Sequence, residues 1–104
     1  MKLIHAVVDG EALHRIQDEL SRVEVFRLTV SDVEIHRRTE TEAPRQTWES
    51  KPGIRLEIAV NENFVKPTLD ALYRALSGGG GSVYVLPLKD VVRIRTGERG
   101  PEAI

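Results

Sequence analysis

The sequence predicts an α+β domain of order β-α-β-β-α-β, the ferredoxin-like sandwich in which both helices lie on one face of an antiparallel sheet. Three observations carry this expectation. Four segments are apolar in runs or in strict alternation, two others place apolar residues three and four apart, and Asp9-Gly10, Pro52-Gly53 and Gly78 to Gly81 punctuate the chain between them. At 104 residues there is room for one domain, 1–104, and a chain of this length buries roughly two-thirds of its unfolded surface without staples.

Leu3 to Val8 reads as the first strand, closed by the Asp9-Gly10 turn, with Asp9 placed to cap a helix. Leu13, Ile16 and Leu20 then form one buried helical stripe. Val25 to Arg38 is rich in β-branched residues and long for a strand. Its apolar phase switches from Phe26, Leu28 and Val30 to Val33 and Ile35. Side chains alternate strictly, so the switch implies either a bulge or an arm leaving the sheet. Thr39 to Lys51 is polar and mixed in charge, with Pro44 inside it. Ile54, Leu56, Ile58 and Val60 alternate as the third strand. Asn61 and Asn63 offer caps for a second helix carrying Val65, Leu69, Leu72 and Leu76, and Pro67 moves its expected start to about Asn63. Glycines 78 to 81 end it. Val83 to Leu88 is the last strand, and Lys89 to Ile104 a charged tail.

The first and last strands are apolar on both faces: Leu3 and Val7 oppose Ile4, Ala6 and Val8, while Tyr84, Leu86 and Leu88 oppose Val83 and Val85. Such strands are normally covered on both sides, so identical copies are expected to bury the helix-free face.

Composition removes several functions. Fifteen basic and sixteen acidic residues leave a formal charge of −1, against the net basic surface that nucleic-acid binding needs. With no cysteine there is no disulfide, thiolate metal site or Cys nucleophile. His5, His14 and His36 lie on different elements without ligand spacing, so no metal site is expected. No nucleophile–base pairing stands out, and no enzyme is expected. The chain has no apolar run long enough for membrane insertion and no signal-peptide pattern, which reads as cytoplasmic.

Two constellations suit binding. The segment from Ser77 through Gly79, Gly80 and Gly81 can turn backbone N–H groups toward one anion, or be a slack connector. A Walker-type loop is excluded, because this one runs from helix to strand without lysine. Arg93 and Arg95 at i, i+2 in extended chain would present a guanidinium fork to phosphate, or form a solvated edge. Trp48, the one tryptophan, either anchors a partner or folds back on its own sheet.

The tail from Val91 through Arg93-Ile94-Arg95-Thr96-Gly97 to Gly100, ending Glu102-Ala103-Ile104, resembles the carboxy-terminal signature of the PII signal-transduction family. Met1 to Ile4, Leu28-Thr29-Val30 and Arg55 to Ile58 fall where that family has equivalent segments. The resemblance implies a homotrimer with adenine nucleotide (ATP, ADP or AMP) as effector in clefts between subunits. Magnesium stays unassigned, and no redox cofactor is implied. Carried across, Thr29 sits by the adenine, Val7, Glu57 and Ala59 line the nucleoside, and Gly79, Gly80 and Gly81 cradle phosphates. Arg93 and Arg95 reach in from the adjacent chain. Arg38 stands at the root of a long mobile loop of about 37–53 that contains Arg45 and Trp48. The phosphate loop is 77–82 and the tail 89–104. The implied function is a regulator that controls a membrane transporter or metabolic enzyme through that loop. The alternative is a structural or scaffold trimer that has lost its nucleotide. Ser82 stands where the family has a phosphate-loop lysine and Thr39 where it has a glutamine. No tyrosine occurs between Thr39 and Leu72, which removes control by uridylylation of the loop.

Overall fold

The first strand of the computed structural model, β1 (Lys2–Val8), lies at the centre of a four-stranded antiparallel sheet. The structure describes residues 1–39 and 47–104. A short 3-10 turn (Gly10–Ala12) leads into α1 (Leu13–Arg22), then come β2 (Thr29–Arg38), β3 (Trp48–Val60), α2 (Glu62–Ala75) and β4 (Val83–Pro87). A second 3-10 turn, Gly100–Ala103, closes the tail. The sheet order β2-β3-β1-β4 puts the first and third strands in the middle, the βαββαβ topology expected.

Alternation decides which side is core. Ile4, Ala6 and Val8 of β1 pair with Ile58, Leu56 and Ile54 of β3, and all six are buried. Ile16 and Leu20 of α1, with Ala71, Leu72 and Ala75 of α2, cover them. Asp9 caps the 3-10 turn that leads into α1 rather than the α-helix itself, its Oδ1 accepting from the Glu11 N–H at 3.1 Å. In α2 Thr68, Ala71, Leu72 and Ala75 are buried, whereas Val65, Leu69 and the C-capping Leu76 are only partly so.

Helix α2 starts at Glu62, one residue before the expected start. The Phe64 N–H donates to the Asn61 carbonyl at 2.9 Å, and Pro67 deprives only the first-turn Asn63 carbonyl of a donor.

The region of β2 and β3 departs most from expectation. Val25 to Leu28 is not strand. Glu24 takes a left-handed φ of 63°, Val25 turns into the core, and Phe26 and Leu28 precede β2. Register between β2 and β3 runs without a bulge from Thr29 opposite Glu57 to Arg38 opposite Trp48. The phase switch therefore marks an arm. Beyond Ile54, β3 no longer has β1 beside it, and residues 33–38 and 48–53 project as a two-stranded ribbon. The molecule is accordingly elongated, 56 × 26 × 20 Å. Trp48 to Gly53, expected in a loop of about 37–53, are strand. Pro52 is accommodated because the β1 side of this ribbon has no ladder bond to lose. Gly53 is buried where the arm departs, and a Cβ there would meet Ile35 Cδ1 at 2.5 Å and the Val8 carbonyl at 3.0 Å.

The tail is not a loose charged segment. Val92 bridges Arg99, Asp90 accepts from Arg99 Nε at 2.9 Å, and Ala103 is buried. The Asn61 side chain donates to the Pro101 carbonyl at 3.1 Å, fastening the tail to the start of α2.

Candidate functional site

Because β1 and β3 are antiparallel and in register, Val7 and Glu57 fall on the face opposite the core, as do Leu3, His5, Arg55 and Ala59. Thr29 lies opposite Glu57 and shares that face. The four strand residues named from sequence, Val7, Thr29, Glu57 and Ala59, thus all lie on the helix-free side. Glu57 is half-buried there, its Oε1 3.4 Å from Arg55 Nε.

They do not open into one cavity. Thr29, Glu57, Ala59 and Arg93 line a cavity of about 650 Å³ with Leu3, Phe26 and Phe64. Val7 and Gly79 to Gly81 line a second of about 430 Å³, with Arg15, Ile35, Arg37 and Lys51. Leu3 and Val7 are four strand residues apart, roughly 13 Å, so the two cavities open toward opposite ends of β1. A third space of about 480 Å³ lies on the other flank of the glycine loop, against Leu69, Tyr73 and Val83.

The glycine loop is built by its backbone. Gly79 donates its N–H to the Leu76 carbonyl at 2.8 Å, which removes that donor from any ligand. Gly80 and Gly81 donate no N–H to a partner among the described residues. Gly81 takes a φ of 124°, and a Cβ there would meet the Val7 carbonyl at 3.1 Å, so the loop presses onto β1 where only glycine fits.

The arginine fork requires correction. Arg93 and Arg95 are not in extended chain. The Gly97 N–H donates to the Arg93 carbonyl at 2.7 Å and the Arg93 N–H to the Glu98 carbonyl at 2.9 Å, closing a turn. Arg93 turns inward to the larger cavity, its guanidinium 3.8 Å from Glu98, while Arg95 is exposed and lines neither cavity. Curling of the tail separates two side chains that an extended strand would align. Asp90 steadies this turn from below, and its hydrogen bond from Arg99 holds the carboxyl below the ordinary aspartate range.

Arg38 is the last residue of β2, opposite Trp48 and on the other face from Arg37, and it lines neither cavity. Trp48 is 68% exposed at the first position of β3 and does not fold back on the sheet. Arg45 lies outside the described residues. Arg15 and Arg37 escaped sequence reasoning, as did the approach of Lys51 to the glycine loop. The signal for Arg37 was available in the alternation of β2, since Ile35 and Arg37 share a phase that Arg38 does not. Among the described residues no cluster of three or more His, Asp or Glu is arranged to hold a metal. No helix among them is long and apolar enough to cross a membrane.

Open sheet, glycine loop and folded tail make up a domain of the ferredoxin-like class. Comparison with known proteins says which one. Residues 1–98 match the family model for Nitrogen regulatory protein P-II, and the chain belongs to that family. It is 40% identical to Nitrogen regulatory protein GlnK1 of Methanosarcina mazei, over all of this chain and 97% of the relative. It is 33% identical to Nitrogen regulatory protein P-II 1 of Methanothermobacter thermautotrophicus, with the same coverage. The fold superposes on GlnK of B. subtilis with a TM-score of 0.79 at 28% identity, covering 99% of this chain and 97% of that one. A GlnK–ATP complex from the same organism gives 0.87 at 24% identity, covering 99% and 94%. The chain is therefore a nitrogen-regulatory signal-transduction protein rather than an enzyme.

Proposed function

We propose that this chain is an adenine-nucleotide sensor whose cleft is completed between protomers of a homotrimer. The glycine loop carries the reading: Gly80 and Gly81 keep free donors beside a cation-lined cavity, which suits a phosphate chain. Thr29, Glu57, Ala59 and Arg93 form the nucleoside half. The two halves occupy separate cavities of one chain, which favours a cleft in which the loop half of one protomer faces the nucleoside half of its neighbour. Arg95, exposed on the turn, is free to reach across. Tyr84 and Leu86, 56% and 43% exposed on the helix-free side of edge strand β4, supply apolar surface for that association. The B. subtilis relative solved with ATP supports the ligand class.

The output runs through the arm. Trp48 stands exposed at the foot of segment 40–46, so Trp48 and Arg45 are the proposed contacts to a target, a transporter or metabolic enzyme. Titration calorimetry with ATP, ADP and AMP, with and without magnesium, tests the sensor. Saturation at a hundredfold the dissociation constant adds about 2.7 kcal/mol per site to stability. Absence of heat and of a melting shift with all three leaves the scaffold-trimer reading in its place. Sedimentation showing a monomer defeats the shared cleft.

A further inference from the structure

Sheet register sets four polar side chains in one row across the helix-free face. Thr29 of β2 lies opposite Glu57 of β3, Glu57 opposite His5 of β1, and His5 opposite Tyr84 of β4. Directly opposed residues of an antiparallel pair have Cβ atoms roughly 4.5–5.5 Å apart, so the half-buried His5 has an aromatic neighbour on one side and a carboxylate on the other. The Tyr84 ring centroid lies 6.1 Å from that of the imidazole, the two planes inclined at 34°. Glu57 borders the nucleoside cavity with Thr29 and Ala59, whereas His5 and Tyr84 line none of the three cavities. His5 therefore stands behind Glu57, on the side away from Thr29. From β3 it faces Glu57 and, one diagonal step away, Arg55, whose Nε lies 3.4 Å from Glu57 Oε1. From β4 it faces the Tyr84 phenol, and β1 adds only Leu3 and Val7 to this face. Among the described residues Glu57 is paired with Arg55 and not with His5.

We propose that His5 is a proton-sensitive positioning residue for Glu57, and through it for the nucleoside half of the site. Histidine is the side chain whose charge ordinarily changes between about pH 5 and 8. A neutral imidazole leaves Glu57 with Arg55, on the border of the nucleoside cavity. An imidazolium adds a second cation on the β1 side of the carboxylate and draws it along the row, away from Thr29. The nucleoside then loses an acceptor, while the glycine loop at the other cavity keeps its amides. Acidification thus weakens the site at its nucleoside end. This deepens the nucleotide reading above and rests on it for the ligand, but not for the coupling of His5 to Glu57.

Two measurements on the full chain test this. The side-chain carboxyl carbon resonance of Glu57 is followed by NMR from about pH 8 to about pH 6 without ligand, in wild type and His5→Gln. It is expected to move in wild type and to hold still in the variant. Equal movement in both, or movement in neither, overturns the assignment. Calorimetry then compares ATP binding at the same two pH values in wild type, His5→Gln and His14→Gln, the last an exposed histidine of α1 that serves as control. The titration of ATP itself is common to all three and cancels. Wild type and His14→Gln are expected to lose affinity on acidification by about threefold or more beyond the loss in His5→Gln. The same loss in His5→Gln as in wild type overturns the assignment. If the Glu57 resonance follows His5 but no nucleotide binds, the coupling stands and the adenine-sensor reading falls. If ATP binds and the resonance ignores His5, the sensor stands and the positioning role falls.

Discussion

The two faces of the sheet are made by the same strands and do opposite work. On the covered face Ile4, Leu56 and Ile58 are each about 1% exposed, sealed under two helices. One residue along each strand, the open face carries Thr29 and Ala59 in the clear and Glu57 half-buried. Alternation lets one backbone serve the core and the proposed binding face at once, because a substitution on either face leaves the other's side chains in place. Stability and recognition should therefore separate by residue parity.

The sharpest way to break this comparison is to substitute one residue of each parity of β3. Leu56→Ala is expected to lose about 2–5 kcal/mol in denaturant unfolding, and Ala59→Ser less than about 0.5 kcal/mol. Similar losses for both would mean that the open face contributes to the monomer core. Next in size is Gly81→Val, which forces a β-branched residue into a left-handed conformation against the Val7 carbonyl. It should cost about 1–3 kcal/mol and abolish phosphate binding together, measured by melting and calorimetry. Retained binding would show that the loop's contact with β1 is dispensable. The smallest effect concerns the tail that holds Arg93. The Asp90 carboxyl is held low by Arg99, so its stabilisation is present above about pH 4 and disappears as the pH falls through its depressed folded value. Asp90→Asn should melt slightly below wild type at pH 7 and match it in strong acid. A gap that persists in acid would assign the effect to packing rather than to charge.

Much of the fold was legible because the local signals agree with one another. The stripe Leu13, Ile16, Leu20, the alternation of Ile54 to Val60 and the Asp9 cap all point to elements that exist. The errors cluster where tertiary context overrules composition. Trp48 to Gly53 is polar and contains proline, yet it is strand, because β2 offers it a continuous ladder. Arg93 and Arg95 read as extended, yet a turn closed by backbone bonds separates them. The glycine loop was recognisable from its residues. Its cations were harder to see, because Arg15, Arg37 and Lys51 are far apart in the chain and share a cavity only through sheet register and helix placement.

By itself the chain determined element order, which faces are apolar and which loop is backbone-rich, since these depend on residue type and on periods of two and 3.6. Tertiary structure alone decided where β3 outruns β1 and becomes an arm, which cations gather at the loop, and that the tail folds back. Each of these follows from pairing between distant segments. The energy of such pairing resides in contacts that no local stretch of sequence contains.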